Sequence, residues 1–92
     1  MLNGVVDHPE ARRFELAIGE DVAASYYRIE GDTVVLLHTE VPQRYSGQGI
    51  GTRLAEAVFD EIARTGRKAA AKCPFMSRFA TSHPEYSRLI VG

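Results

Sequence analysis

Residues 41–66 read VPQRYSGQGIGTRLAEAVFDEIARTG, and the fold turns on how this stretch is understood. Ile50, Leu54, Val58 and Ile62 recur every fourth residue with Ala57 beside them, while Arg53, Glu56, Asp60 and Arg64 take the opposite side. That spacing predicts an amphipathic helix closed near Gly66. Three glycines at alternate positions, Gly47, Gly49 and Gly51, stand where it begins. Glycine gives up the most backbone freedom on ordering, so a cluster this dense needs a purpose. A helix start carries N–H groups without partners and a partial positive charge, and an anion fits there. Gly47 and Gly49 let the backbone turn tightly and meet a phosphate without a Cβ in the way, and Gly51 lets the helix start sit close to a sheet. The alternative is a tight strand-to-helix turn that holds nothing. Two nucleotide motifs are excluded: a P-loop needs Gly-Lys-Ser/Thr where this chain has Gly51, Thr52 and Arg53, and a dinucleotide fingerprint reads G-x-G-x-x-G rather than G-x-G-x-G.

Before this stretch, RRFELAI places Phe14, Leu16 and Ile18 on one side with Arg13, Glu15 and Ala17 on the other, the period of a half-buried strand. VAASYYRIE has the content of a second strand, and Gly31-Asp32 closes a hairpin to a third, TVVLLHTEV, ended by Pro42. Val34 to Leu37 are apolar on both faces, which predicts a central position. After the helix, RKAAAKCPF reads as a fourth strand lying parallel beside the third, through a right-handed crossover. Met76, Phe79 and Ala80 then predict one short terminal helix. The expected fold is thus α/β (α+β): three antiparallel meander strands, a parallel strand after a βαβ crossover, and a C-terminal helix, forming a single domain over residues 1–92.

Composition narrows the functional classes. The 92 residues are 45% hydrophobic and 25% charged, ordinary for a soluble globular chain, and no apolar run approaches a membrane span. A net charge of −1 argues against a nucleic-acid binder working through phosphate neutralisation. One cysteine, Cys73, excludes an internal disulfide framework and a multi-thiolate metal site, and the start carries no secretory pattern; a cytoplasmic setting without a resident metal is expected.

RYSGQG, Arg44 to Gly49, is the R-x-x-G-x-G pattern of the GNAT superfamily of N-acetyltransferases, and it stands where that family has it, between a central strand and an amphipathic helix. Together with HTEVP, GQGIGTRLAEAVFD, CPF and HPEYSRLI, the chain resembles a small branch of that superfamily from about Phe14 to Leu89. The resemblance implies a minimal GNAT fold. It also implies that acetyl-CoA is the co-substrate, its pyrophosphate held by backbone N–H groups of the loop and its pantetheine arm lying between two splayed parallel strands, here TVVLLHTEV and KAAAKC. On this mapping Val41 offers main-chain bonds near the thioester, and Arg44, Tyr45, Ser46, Gly47, Gln48, Gly49, Ile50 and Gly51 wrap the phosphates. Ser77 and Arg78 are further candidates for the pantetheine or phosphates.

Acetyl transfer to an amine requires a neutral nucleophile, a polarised carbonyl and a protonated leaving thiolate. Glu40 lies where related acetyltransferases often hold a carboxylate that deprotonates the acceptor ammonium. His38, two residues earlier and so on the same side of the strand, is of a residue type suited to the same task. Cys73 ends the second splayed strand and is a candidate acid or transient acetyl carrier, and Tyr86 a further acid. Each has a plain alternative: a strand-end charge, a hydrogen-bonded histidine, a small buried hydrophobe, a packing tyrosine. Relative to most GNAT enzymes, the chain departs in having neither the additional N-terminal strand with two helices nor the further C-terminal strands. An open acceptor surface follows, suited to a protein or peptide amine, a polyamine, or an acceptor site completed by another chain. A non-catalytic acyl-CoA-binding module and a small interaction domain are the competing functions.

Overall fold

The computed structural model describes residues 4–91. Five strands, β1 (Val5–His8), β2 (Arg13–Ile18), β3 (Asp21–Glu30), β4 (Thr33–Glu40) and β5 (Lys68–Ala71), form one sheet in sequential order. The first four pair antiparallel, and β4 and β5 pair parallel. Between those two runs α1 (Ile50–Arg64); α2 (Pro74–Ser82) and the single turn α3 (Pro84–Ser87) follow β5. In the chain's last described residues, Leu89 and Val91 bond to both backbone groups of Ala69 on the outer edge of β5.

Two expectations need correction. The expected meander has three strands and no N-terminal strand; β1 adds a fifth strand to the sheet, so the meander has four and an N-terminal strand is present. Its physical reason lies far away in sequence, since Val5 is buried opposite Leu16 and Asp7 accepts a 2.5 Å hydrogen bond from the Tyr27 hydroxyl. The terminal helix is also two helices, because Pro84 has no N–H to continue the ladder and His83 takes an extended conformation before it.

Strand registers sort the side chains. Val5, Leu16, Ala23, Tyr27, Leu36, Val34 and Ala69 stand on one face, and all join a single buried cluster with α1 and α2. Leu54, Val58, Phe59 and Ile62 of α1 are fully buried there, each worth roughly 1.5–3 kcal/mol of transfer free energy. Phe59 stacks on Phe79 and Tyr86, which fastens α1 to the C-terminal helices. Every buried helical residue among the described residues belongs to this cluster, so the helices pack on one face of the sheet and leave the opposite face to the strands and loops.

Two irregularities in β4 create the site. Tyr26 pairs with His38 but Tyr27 pairs with Leu36, so Leu37 is an extra residue, a β-bulge. Strict alternation from Leu36 would turn His38 and Glu40 into the core; the bulge sets them on the open face and turns Thr39 inward instead. Second, the parallel pairing stops at Leu36 and Ala71, where the N–H groups of Lys72 and Cys73 both donate to the Leu36 carbonyl at 2.9 and 3.1 Å. Beyond that point β4 continues for four residues while the other chain turns away into α2, and the two strands part as a fork.

Candidate active site

The glycine loop leads into α1 beside this fork. Gln43–Tyr45 makes a 3₁₀ turn, and Tyr45 anchors it by packing on the core and donating to the Ile18 carbonyl at 3.4 Å. Gly47 and Gly49 both have left-handed backbones, with φ of 79° and 78°, which residues with a Cβ adopt only under strain. A Cβ at either would project into open space, so what these glycines supply is backbone direction and an unobstructed approach from solvent. Gly49 is the N-cap of α1. Among the described residues no side chain caps this helix start, and its first turn holds no acidic residue. The N–H groups of that turn and the positive end of the helix dipole therefore have no internal partner, the arrangement that holds a phosphate.

The structure gives other members of the loop different tasks from those expected. Gly51 does not bring α1 to the sheet: a Cβ there would stand 3.0 Å from the ring of Phe75, so this glycine admits α2 against α1. The Arg44 guanidinium, expected at the phosphates, is ion-paired with Asp21 at the start of β3 and lies over the Tyr45 ring. Asp21 holds it protonated more firmly than an ordinary arginine. Gln48 donates back to the Arg44 carbonyl at 3.3 Å, Ser46 is exposed, and Ile50 is buried in the core.

Two spaces flank α2. A groove of about 320 Å³ beside the α1 start is lined by Thr52, Phe75, Arg78, Phe79, Ser82 and His83. Ser77 instead lines a separate cavity of about 310 Å³ with Ala71, Ala80 and Ile90, at the outer side of β5. Of the two α2 candidates, Arg78 is therefore the one beside the helix start.

At the end of β4, Val22, Thr39, Glu40, Val41 and Pro42 line a cleft of about 450 Å³. Glu40 and His38 share the open face, as the two-residue period required, with Glu40 Oε2 3.2 Å from His38 Nε2. Both side chains are about 60% exposed, so protons exchange freely with solvent. Cys73 is not with them. It is 5% exposed, stands at the N-cap position of α2 without capping it by its side chain, and lies on the inner side with Sγ 3.3 Å from the Thr39 hydroxyl. Thr39 therefore separates the three candidates into an exposed carboxylate–imidazole pair and a buried thiol. Sequence reasoning missed Thr39; with the bulge unseen, nothing marked it as inward. Tyr86 stands apart from all three, donating at 2.8 Å to Asp60 of α1, and burial with that carboxylate pushes its hydroxyl pKa well up. Among the described residues no group of three or more His, Cys, Asp or Glu is arranged for a metal ion.

A mixed sheet that forks after a bulged central strand, with an uncapped, glycine-led helix start beside the fork, defines the acyltransferase architecture that the R-x-x-G-x-G motif resembled. The chain belongs to the GCN5-related N-acetyltransferase family, whose pattern matches residues 13–89. Among curated relatives, Protein NATD1 of Danio rerio is 35% identical over 94% of this chain and 84% of its own length. Protein NATD1 of Homo sapiens is 34% identical over 86% of this chain and 74% of its own length. The solution structure of a "GCN5-like putative N-acetyltransferase" from Staphylococcus aureus has the same fold, with a TM-score of 0.71 at 24% identity, over 100% of this chain and 92% of that one.

Proposed function

We propose that this chain is an acetyl-CoA-dependent N-acetyltransferase in which an acceptor amine attacks the thioester directly. The observation that carries this reading is the uncapped start of α1 behind two left-handed glycines, next to the fork between β4 and β5. The residues present fit the co-substrate. The N–H groups from Gly47 to Gly51 would hold the diphosphate, Arg78 and Thr52 line the adjoining groove, and Val41 lines the cleft at the fork that would take the arm. Acetyl-CoA supplies an acyl carbon activated by a sulfur leaving group.

The chain's own residues then manage protons and charge. The acceptor arrives on the open face as an ammonium, and Glu40, assisted by His38, takes its proton directly or through water. The free amine bonds to the acyl carbon as the carbon–sulfur bond breaks, and the nitrogen then gives up its second proton to water. An N–H at Val41 stabilises the oxygen that gains charge. Cys73, buried beside the fork, protonates the departing thiolate and is in turn reprotonated from water. An acceptor that docks on an open sheet face is an extended one: a protein or peptide amine, or a polyamine. A lone buried thiol suits a reducing compartment, and we place the protein in the cytoplasm on that ground.

Calorimetric titration of acetyl-CoA into the protein, with folded Gly49→Val as control, tests the first half. One-site saturation lost in the variant is expected, followed by CoA release in an acceptor screen. No heat at millimolar co-substrate would sink the proposal.

A further inference from the structure

Glu40 is the end of a chain of polar contacts that crosses four strands of the open face. Registers place His8, Arg13, Tyr26 and His38 in one row and Val6, Glu15, Ala24 and Glu40 in the next. His8 Nε2 lies 3.3 Å from Glu15 Oε1, and Arg13 Nε donates to Glu15 Oε2 at 2.5 Å. An Arg13 Nη1 donates to the Tyr26 hydroxyl at 3.2 Å, and that hydroxyl donates to Glu40 Oε1 at 3.3 Å. The other oxygen of Glu40 faces His38, whose ring stacks on Tyr26 with centroids 5.9 Å apart. Tyr26 thus touches both members of the exposed pair, one with its hydroxyl and one with its ring.

We infer that Tyr26 is a positioning residue for Glu40 and His38 and that the Arg13–Glu15 pair is its fixed support, an inference that rests on the transfer reading above. Exposed carboxylates on a strand end normally sample several rotamers, and freezing one needs contacts from more than one direction. Glu40 has two such contacts, one per oxygen, and Ala24, its neighbour within its own row, is too short to supply another. The phenol has a donor of its own: Arg13 approaches the hydroxyl oxygen and also lies 5.7 Å over the ring, leaving the phenolic hydrogen free to point at Glu40. The chain is not a proton wire. A guanidinium held protonated by Glu15 and by Tyr26 passes no proton onward, so whatever Glu40 or His38 accepts leaves through solvent.

The test is Tyr26→Phe, which keeps the ring on His38 and removes only the hydroxyl. The expected result is a roughly tenfold fall in kcat, within the range that misplacing a reacting group produces, with the Kd for acetyl-CoA unchanged. Combined with Glu40→Gln, the variant should lower the rate no further than Glu40→Gln alone. A readout independent of turnover is the His38 imidazole nitrogen signal by NMR at pH 8, which should move in Tyr26→Phe toward its position in Glu40→Gln. Arg13→Met, which keeps the alkyl stem, should move it the same way by less. An imidazole signal unmoved by Tyr26→Phe, or losses that multiply in the double variant, would overturn the positioning role. Full-rate transfer by Glu40→Gln would instead overturn the base reading on which it rests.

Discussion

The two halves of the site are built from different material. At the start of α1 the functional groups belong to the main chain: Gly47 and Gly49 set its direction, no side chain caps the helix, and Arg44 is occupied by Asp21. At the end of β4 the main chain is irregular and the functional groups are side chains, Glu40, His38 and Tyr26 on one face and Thr39 with Cys73 on the other. On the proposed function the first half would recognise a constant feature, a diphosphate, for which rigid N–H groups suffice. The second would fit an acceptor and move protons, and that chemistry needs titratable groups.

Substitutions at the two ends should accordingly divide binding from turnover. The largest effect is expected from Glu40→Gln, which removes the base while keeping shape and one hydrogen bond: kcat should fall by about 10²–10⁴-fold, the usual worth of general-base catalysis. Its acetyl-CoA affinity by calorimetry should stay within about twofold, and loss of binding instead would show that the halves are not separable. Gly49→Val is the mirror experiment. Its strained backbone turns the N–H groups away, and losing two hydrogen bonds to a charged group, each about 1.5 kcal/mol or more, weakens binding roughly 100-fold.

A smaller effect separates the glycines from one another. Gly51→Ala places a methyl about 3 Å from the Phe75 ring, an overpacking penalty of about 1–3 kcal/mol set against about 1 kcal/mol gained in helix propensity. A net loss of about 1 kcal/mol in urea denaturation is expected, with affinity altered little. A large loss of affinity would show that the phosphate site, and not only Phe75, requires a missing Cβ at Gly51.

The same division governs how far the sequence could be read. The α1 half was legible because its signals are local: a four-residue apolar recurrence and a glycine cluster within eight residues of one another. The meander and the parallel β4–β5 pair followed from alternation and from connection length. What stayed hidden depends on residues distant in sequence. Leu37 looks like any other strand residue in VVLLHTE, and becomes a bulge only because its neighbours His38 and Leu36 pair with the consecutive residues Tyr26 and Tyr27. The strand at Val5–His8 contains an aspartate that makes sense only with the Tyr27 hydroxyl beside it. Arg44 finds its partner at Asp21, across the β2–β3 turn. Placing Glu40 and His38 together needed only the period of two, whereas placing Cys73 behind them needed the bulge.

Ser25 provides the smallest effect and the finest probe of that boundary. Its side chain is fully buried on the core face, directly opposite Thr39 and next to Phe14, and its hydroxyl has no hydrogen-bond partner among the described residues. The Thr39 hydroxyl is engaged with Cys73 instead. An unsatisfied buried hydroxyl costs about 1 kcal/mol or more, so Ser25→Ala should stabilise the fold by about that amount and raise Tm by roughly 4–8 °C. The reactivity of the Cys73 thiol toward a small alkylating agent should not change. If Ser25→Ala destabilises the protein and alters the thiol, Thr39 divides its hydroxyl between Ser25 and Cys73, and the inner side of β4 is a connected polar system like the outer one. If stability rises and the thiol is silent, the polar organisation of the site is confined to the open face, and Cys73 acts with Thr39 alone.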